Sequence, residues 1–243
     1  MTLTIIGLGP GNPDLLTPEA AAALDRATHL VGYAPYLDRV PPRPGQHRHG
    51  SDNRVELDRA RHALALATAG EPVAVVSGGD PGVFAMAAAV FEALEAGPEP
   101  WRSLDIRVLP GISAMFAVAA RLGAPLGHDF CAMSLSDNLK PWDLVLSRLR
   151  AAAGAGFVLA LYNPTSRARP WQLAAALATL RTVLPPETPV AFATAVTRPD
   201  ERITVLPLAE ADPALADMRT LVLVGTAATR RVGRWLYTPR SAA

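Results

Sequence analysis

Three short glycine-rich turns carry the residues of this chain best suited to chemistry: GLGPG at Gly7–Gly11, GGDPG at Gly78–Gly82 and PGISA at Pro110–Ala114. Each follows an apolar run of strand type and precedes a helical pattern. Glycine allows unusual backbone angles and lets a ligand approach the main chain closely. In a parallel sheet every strand-to-helix turn lies at the same edge, outside the carboxyl ends of the strands, where ligands bind. One glycine turn is weak evidence of a site. Three on one edge point to a small-molecule pocket.

The absent features narrow the ligand. A dinucleotide fingerprint needs a glycine turn that opens directly into a helix, then an acidic residue roughly 20 residues on to hold the ribose. Here Pro10 and Pro13 delay the helix to Thr17, and the second strand ends in Val31-Gly32-Tyr33 without a carboxylate. The glycine–lysine–hydroxyl run of a phosphate loop does not occur. A phosphate-bearing ligand is therefore disfavoured. A neutral or cationic ligand, held by carbonyls and by shape, suits the turns better. Asp80 before Pro81 also reads as a helix N-cap, and Ser113 as a cap of the following helix.

The elements that must position these turns follow from periodicity. Leu3–Leu8 reads as a buried strand, followed by a helix from Pro18 to about Ala27 with Thr17 as N-cap. Further strands are expected at 28–32, 72–77 and 105–109, with helices at 55–69, 83–96 and from Ser113 to about Leu122. Residues 34–52, with their prolines, arginines and two histidines, read as a long loop. The pattern restarts after residue 124, with strands at 131–135, 157–162, 190–197, 202–206 and 220–224 and helices at 141–153 and 171–184. The expected architecture is two α/β domains, 1–124 with a mostly parallel sheet and 125–243 with a mixed sheet, and a cofactor cleft between them.

Bulk composition excludes several classes. The chain has 243 residues, 50% of them hydrophobic, without an apolar run near the ~20 residues that span a bilayer. The first residues lack the pattern of a secretory signal. Its one cysteine, Cys131, rules out an internal disulfide framework or a cysteine-based metal site, and a reduced cytoplasmic setting is expected. A net charge of +1 argues against a broad nucleic-acid surface.

GLGPGNPDLLT, GYAPY, SGGDPGVF, LPGISA, LSDN and LYNPTSRAR occur in the order seen in the tetrapyrrole methylases, which the chain resembles along essentially its whole length. The stretches GYAPYLDRV, SDNRVELDRAR and HDFCAMSLSDN are most similar to the ring-contracting members that serve cobalamin synthesis. The resemblance implies S-adenosylmethionine as methyl donor, a carboxylate-fringed tetrapyrrole as acceptor, no metal, and a homodimer. It places the donor against Pro10, Gly78, Gly79, Asp80, Val83, Ser113 and Ala114, and against Tyr162, Asn163, Ala193, Gly225 and Thr226. The donor carries a sulfonium and no phosphate, which accounts for a glycine turn with few N–H groups.

Arginine forks match carboxylates. Arg39, Arg43, Arg48 and Arg54 in and after the long loop, Lys140, and Arg167 and Arg169 after NPTS are candidates to hold the acceptor, with Ser134 and Asn138 as hydrogen-bonding groups. Ring contraction needs a base near the macrocycle. Asp137 is the first candidate and His128 the second, drawn from a set that also holds His47, His49 and Asp129. Asp137 alternatively caps the helix near Pro141. Other readings are methylation of a different precorrin carbon, or a non-catalytic corrinoid-binding protein.

Overall fold

The computed structural model describes residues 2–52 and 55–241, which divide into two compact units, Met1–Ser113 and Ala114–Ala243. The first unit contains β1 (Thr2–Gly7), α1 (Pro18–Arg26), β2 (His29–Tyr33), α2 (Ala34–Leu37), β3 (His47–Ser51), α3 (Glu56–Thr68), β4 (Val73–Ser77), α4 (Met86–Glu95) and β5 (Asp105–Leu109). Its five strands run in the order β3-β2-β4-β1-β5, all parallel. Strands covered on both faces become continuous apolar runs, which is why TIIG and VAVV show no alternation. Leu3, Ile5, Val73 and Val75 pack with Ala60, Leu64 and Val90 from the side of α3 and α4. Ile6, Ala74 and Val76 pack with Ala20, Leu24 and Leu37 on the other side.

Thr17 caps α1 as expected, its side chain accepting the Ala20 N–H at 3.2 Å with Pro18 in the first turn. The segment 34–52 is not one long loop. It folds into α2 and the edge strand β3, whose sequence HRHGS lacks the apolar alternation that signals a strand. Pairing with β2 through main-chain hydrogen bonds, from His29↔His47 to Tyr33↔Ser51, overrides composition there. His47 and His49 are thus strand residues and not loop candidates for a base.

The second unit begins with α5 (Ala114–Leu122), followed by β6 (Gly123–Ala124), β7 (Phe130–Ser134), α6 (Trp142–Gly154), β8 (Val158–Tyr162) and α7 (Gln172–Leu180). It continues with β9 (Pro189–Thr194), β10 (Arg202–Pro207), β11 (Thr220–Val224), β12 (Arg230–Val232) and β13 (Trp235–Tyr237). The main sheet, β10-β9-β11-β8-β7, is mixed: only β7 and β8 are parallel neighbours. A small sheet, β12-β13-β6, was not foreseen, because its strands have only two or three residues each. The compact units divide before α5, not after residue 124. One tie of α5 to the second unit is the Met115 N–H donated to the Tyr162 hydroxyl at 3.1 Å. Among the described residues no helix is long and apolar enough to cross a membrane.

A histidine chain joins the outer edge of the first sheet. His49 Nε2 lies 2.9 Å from His29 Nδ1, and His49 Nδ1 lies 3.0 Å from His62 Nε2. The rings of His29 and His47 stack, and His29 Nε2 stands 3.5 Å from the Glu71 carboxylate. Among the described residues no group of histidines, cysteines or carboxylates is arranged to hold a metal ion. Burial, with His62, His29 and His47 nearby, lowers the pKa of His49 below 6.5. Folded His49 therefore binds a proton less readily than unfolded His49. Its contribution to stability is complete above 6.5 and is lost as pH falls through that value toward the lower folded pKa. Thermal melts should show the wild type losing more stability than His49→Gln between about pH 7.5 and pH 5.5. Equal losses would show that His49 does not titrate as its surroundings dictate.

Candidate active site

The three glycine turns leave β4, β1 and β5, which are adjacent in the sheet, so the topology alone brings them side by side. Gly9 and Gly79 then form a two-way main-chain bridge, with Gly9 N–H donating to Gly79 O at 3.1 Å and Gly79 N–H to Gly9 O at 2.9 Å. The third turn is tied in by Asp80. One carboxylate oxygen accepts the Gly111 N–H at 3.1 Å and the other accepts the Gly82 N–H at 2.8 Å. The capping reading of Asp80 fails: α4 begins only at Met86, and its N-cap, Ala85, makes no side-chain cap bond.

The glycines are set by mutual contact. A Cβ on Gly7 would lie 2.6 Å from the Gly111 nitrogen and 2.8 Å from the Gly79 oxygen, and one on Gly111 would overlap the Gly79 oxygen outright. Gly9 and Gly79 both take φ of +65°, in the left-handed region. Phe84, just past the second turn, holds φ +52° although it is a bulky residue and half-exposed, a costly backbone state that clusters at functional sites. Pro10 is buried, Gly78, Gly79, Asp80 and Val83 are partly buried, Ser113 is buried and Ala114 opens α5. The first unit thus gathers Pro10, Gly78, Gly79, Asp80 and Val83 on one sheet edge. Pro10 contributes no N–H there, which fits a ligand without a phosphate.

Two arginines expected to face an acceptor instead bind backbone. One Arg39 nitrogen donates to the carbonyls of Leu8 and Gly9, each at 2.8 Å. One Arg48 nitrogen donates to the carbonyl of Leu37 and, at 2.8 Å, to that of Val40. Arg43 pairs with Asp25. Arg54 lies outside the described residues. The sequence reading missed Arg59, which is buried and donates to Ser51 Oγ at 2.8 Å and to the Asp52 carbonyl at 2.6 Å. It also missed the Tyr36 ring, which lies against Gly78 so closely that a Cβ there would come within 2.7 Å.

In the second unit, β7 and β8 run parallel with Ser134 beside Tyr162, so the SLSDN and YNPTSR loops leave the same edge. Asn163, at φ +53°, donates its amide N–H to Ser134 Oγ at 2.9 Å, while Arg169 reaches the Asn163 carbonyl at 3.3 Å. Asp137 is held by the buried Gln172, whose amide nitrogen is 3.1 Å from both carboxylate oxygens. It does not cap α6, whose N-cap is Pro141. His128 is engaged locally, its Nδ1 accepting the Asp129 N–H at 2.8 Å. Asn138 and Arg167 are exposed, and Leu139 between Asn138 and Lys140 is 96% exposed.

Ala193 is buried in β9 opposite Leu221. Gly225 and Thr226 follow β11, which is antiparallel to β8, so they leave the sheet at the end opposite Tyr162 and Asn163. There Thr226 N–H donates to Thr229 Oγ1 at 2.9 Å, and a Cβ on Gly225 would meet the Thr229 side chain at 2.8 Å.

Lys140 is the only lysine in the sequence. Burial first, and the Arg148 charge second, lower its pKa below the ordinary lysine value. Acylation followed by peptide mass spectrometry should therefore find Lys140 half-reactive at a lower pH than free Nα-acetyl-lysine, since the neutral amine is the nucleophile. Matching midpoints would contradict the buried placement.

A parallel sheet with adjacent glycine turns at one edge is thus followed along the chain by a mixed sheet. The sequence profile of the Tetrapyrrole (Corrin/Porphyrin) Methylases matches residues 2–212, and the chain belongs to that family. It is 59% identical over 244 residues to the precorrin-3B C(17)-methyltransferase of Sinorhizobium sp, covering 98% of this chain and 96% of that protein. The crystal structure of the methyltransferase CobJ matches with a TM-score of 0.96 and 58% identity, over 98% of this chain and 99% of that one. The uroporphyrin-III C-methyl transferase of Thermus thermophilus, solved with S-adenyl homocysteine, shares the fold at 23% identity and a TM-score of 0.65, covering 93% of this chain and 92% of that one.

Proposed function

We propose that the chain is an S-adenosylmethionine-dependent C-methyltransferase that acts on precorrin-3B at C-17, with contraction of the macrocycle, in cobalamin synthesis. The observation that carries the donor is the meeting of three glycine turns from adjacent strands without phosphate-binding equipment. The acceptor rests on the near full-length similarity to the Sinorhizobium enzyme. Bound S-adenosylmethionine would supply an electrophilic methyl on a sulfonium, whose leaving group is a neutral thioether.

The protein's task is positioning. Well-oriented reactants reach effective molarities of about 10⁵–10⁸ M. Pro10, Gly78, Gly79, Asp80 and Val83 cradle the donor, with Ser113 and Ala114 beyond the third turn. The family resemblance adds Tyr162, Asn163 and Ala193 from the second unit; Gly225 and Thr226, at the end of that sheet opposite Tyr162, are not among the donor's contacts. Asp137, oriented by Gln172, takes the proton released by the macrocycle hydroxyl during contraction, with His128 as the alternative base. Ser134, Asn138, Lys140, Arg167 and Arg169 meet the acceptor. The protein works as a cytoplasmic homodimer, and its near-neutral charge sets it apart from nucleic-acid binders.

The test is mass spectrometry and absorbance after incubation with S-adenosylmethionine and precorrin-3B. Gain of one methyl with the spectral change of a contracted ring is the expected result. Clean methylation of another precorrin, or tetrapyrrole binding without turnover, would refute it.

A further inference from the structure

The first glycine turn is steadied by a two-step ladder of arginines. Arg48 binds the carbonyls of Leu37 and Val40, the segment that carries Arg39. Arg39 in turn binds the carbonyls of Leu8 and Gly9. Tyr36, on the short helix α2 that precedes Arg39, rests its ring on Gly78 of the second turn. The segment Tyr36–Val40 therefore touches two of the three turns, through a charge on one and a ring on the other.

We propose that Arg39 is a positioning residue for the methyl donor: by holding the Leu8 and Gly9 carbonyls it sets the shape of the turn that ends in Pro10. This rests on the donor reading given above. The turn needs such support for a physical reason. Pro10 has no N–H to anchor it, Gly9 is in the left-handed region, and glycine loses more conformational freedom on ordering than any other residue. A charged donor to two carbonyls makes stronger hydrogen bonds than a neutral one. The guanidinium that the sequence suggests as a fork for the acceptor's carboxylates acts on the donor's cradle instead.

The experiment compares wild type, Arg39→Met and Arg39→Lys by calorimetric titration with S-adenosylhomocysteine, with steady-state kinetics and amide hydrogen exchange alongside. Arg39→Met keeps the stem length and removes every donor. It should weaken S-adenosylhomocysteine binding about tenfold or more, and Arg39→Lys about threefold, while the KM for the tetrapyrrole stays within about twofold of wild type. Exchange should quicken at the Gly9 and Gly79 amides and not at core amides such as Val75, which a general loss of stability would also accelerate.

Wild-type affinity in Arg39→Met, or a raised tetrapyrrole KM with donor affinity intact, would overturn the proposal. If Arg39→Met does not fold, unchanged affinity in Arg39→Lys overturns it equally. Failure of the wild type itself to bind S-adenosylhomocysteine would instead remove the donor reading, and this inference with it.

Discussion

Alanine in place of Gly111 is expected to abolish measurable binding of S-adenosylhomocysteine and to cost about 1–3 kcal/mol of stability. The added Cβ would overlap the Gly79 carbonyl oxygen and lie 2.9–3.0 Å from the Gly7 main chain. All three obstacles are backbone atoms in a bridged sheet edge, so no side chain can swing aside. Relief requires the third turn to draw back from the first two. That breaks the bond from Gly111 N–H to Asp80 and strains the Gly9–Gly79 bridge. Gly154→Ala is the control: in the last turn of α6, with only a Val183 methyl at 3.8 Å, it should leave binding at wild type and stability unchanged or raised by up to about 1 kcal/mol. Calorimetry and thermal melts on the two variants check the prediction. Wild-type donor affinity in Gly111→Ala would mean that the contact of the turns does not build the site.

Asp137→Asn is expected to lower turnover about 100-fold or more while leaving donor affinity unchanged. Asparagine preserves the size of the side chain and can still accept from Gln172 Nε2, but it cannot take a proton. Gln172 is buried and its side-chain oxygen has no partner among the described residues, so its amide is available to reorient toward the new group. The fold should therefore tolerate the change, and the deficit should appear in kcat. Single-turnover kinetics separate chemistry from binding. If Asp137→Asn turns over at the wild-type rate while His128→Gln does not, the base is His128.

The fold was legible wherever burial set the pattern. β1, β4, β8 and β11 are nearly continuous apolar runs, and Thr17-Pro18 marks the start of α1 as capping chemistry predicts. β3 was not legible, because an edge strand written HRHGS draws its stability from main-chain pairing and a histidine chain rather than from apolar burial. The site shows the same division. Glycine spacing after three strands marked the three turns, and adjacency of β4, β1 and β5 brings them side by side.

The roles of the arginines were hidden, since composition cannot tell a guanidinium that faces a ligand from one that binds carbonyls far along the chain. Arg39 reaches Leu8 only because the segment that follows α2 folds back onto the turn that follows β1. Likewise, nothing in GTAAT reveals that β11 runs antiparallel to β8, which sends Gly225 and Thr226 to the far end of their sheet. Topology, not local spacing, decided that point.

Competition calorimetry addresses the central claim most directly: adjacent glycine turns accept a sulfur-borne methyl donor by main-chain shape and reject phosphate. S-adenosylhomocysteine should bind one molecule per chain, and millimolar ATP or NAD should not displace it. Displacement by either nucleotide, or no S-adenosylhomocysteine binding to well-folded protein, would contradict the account.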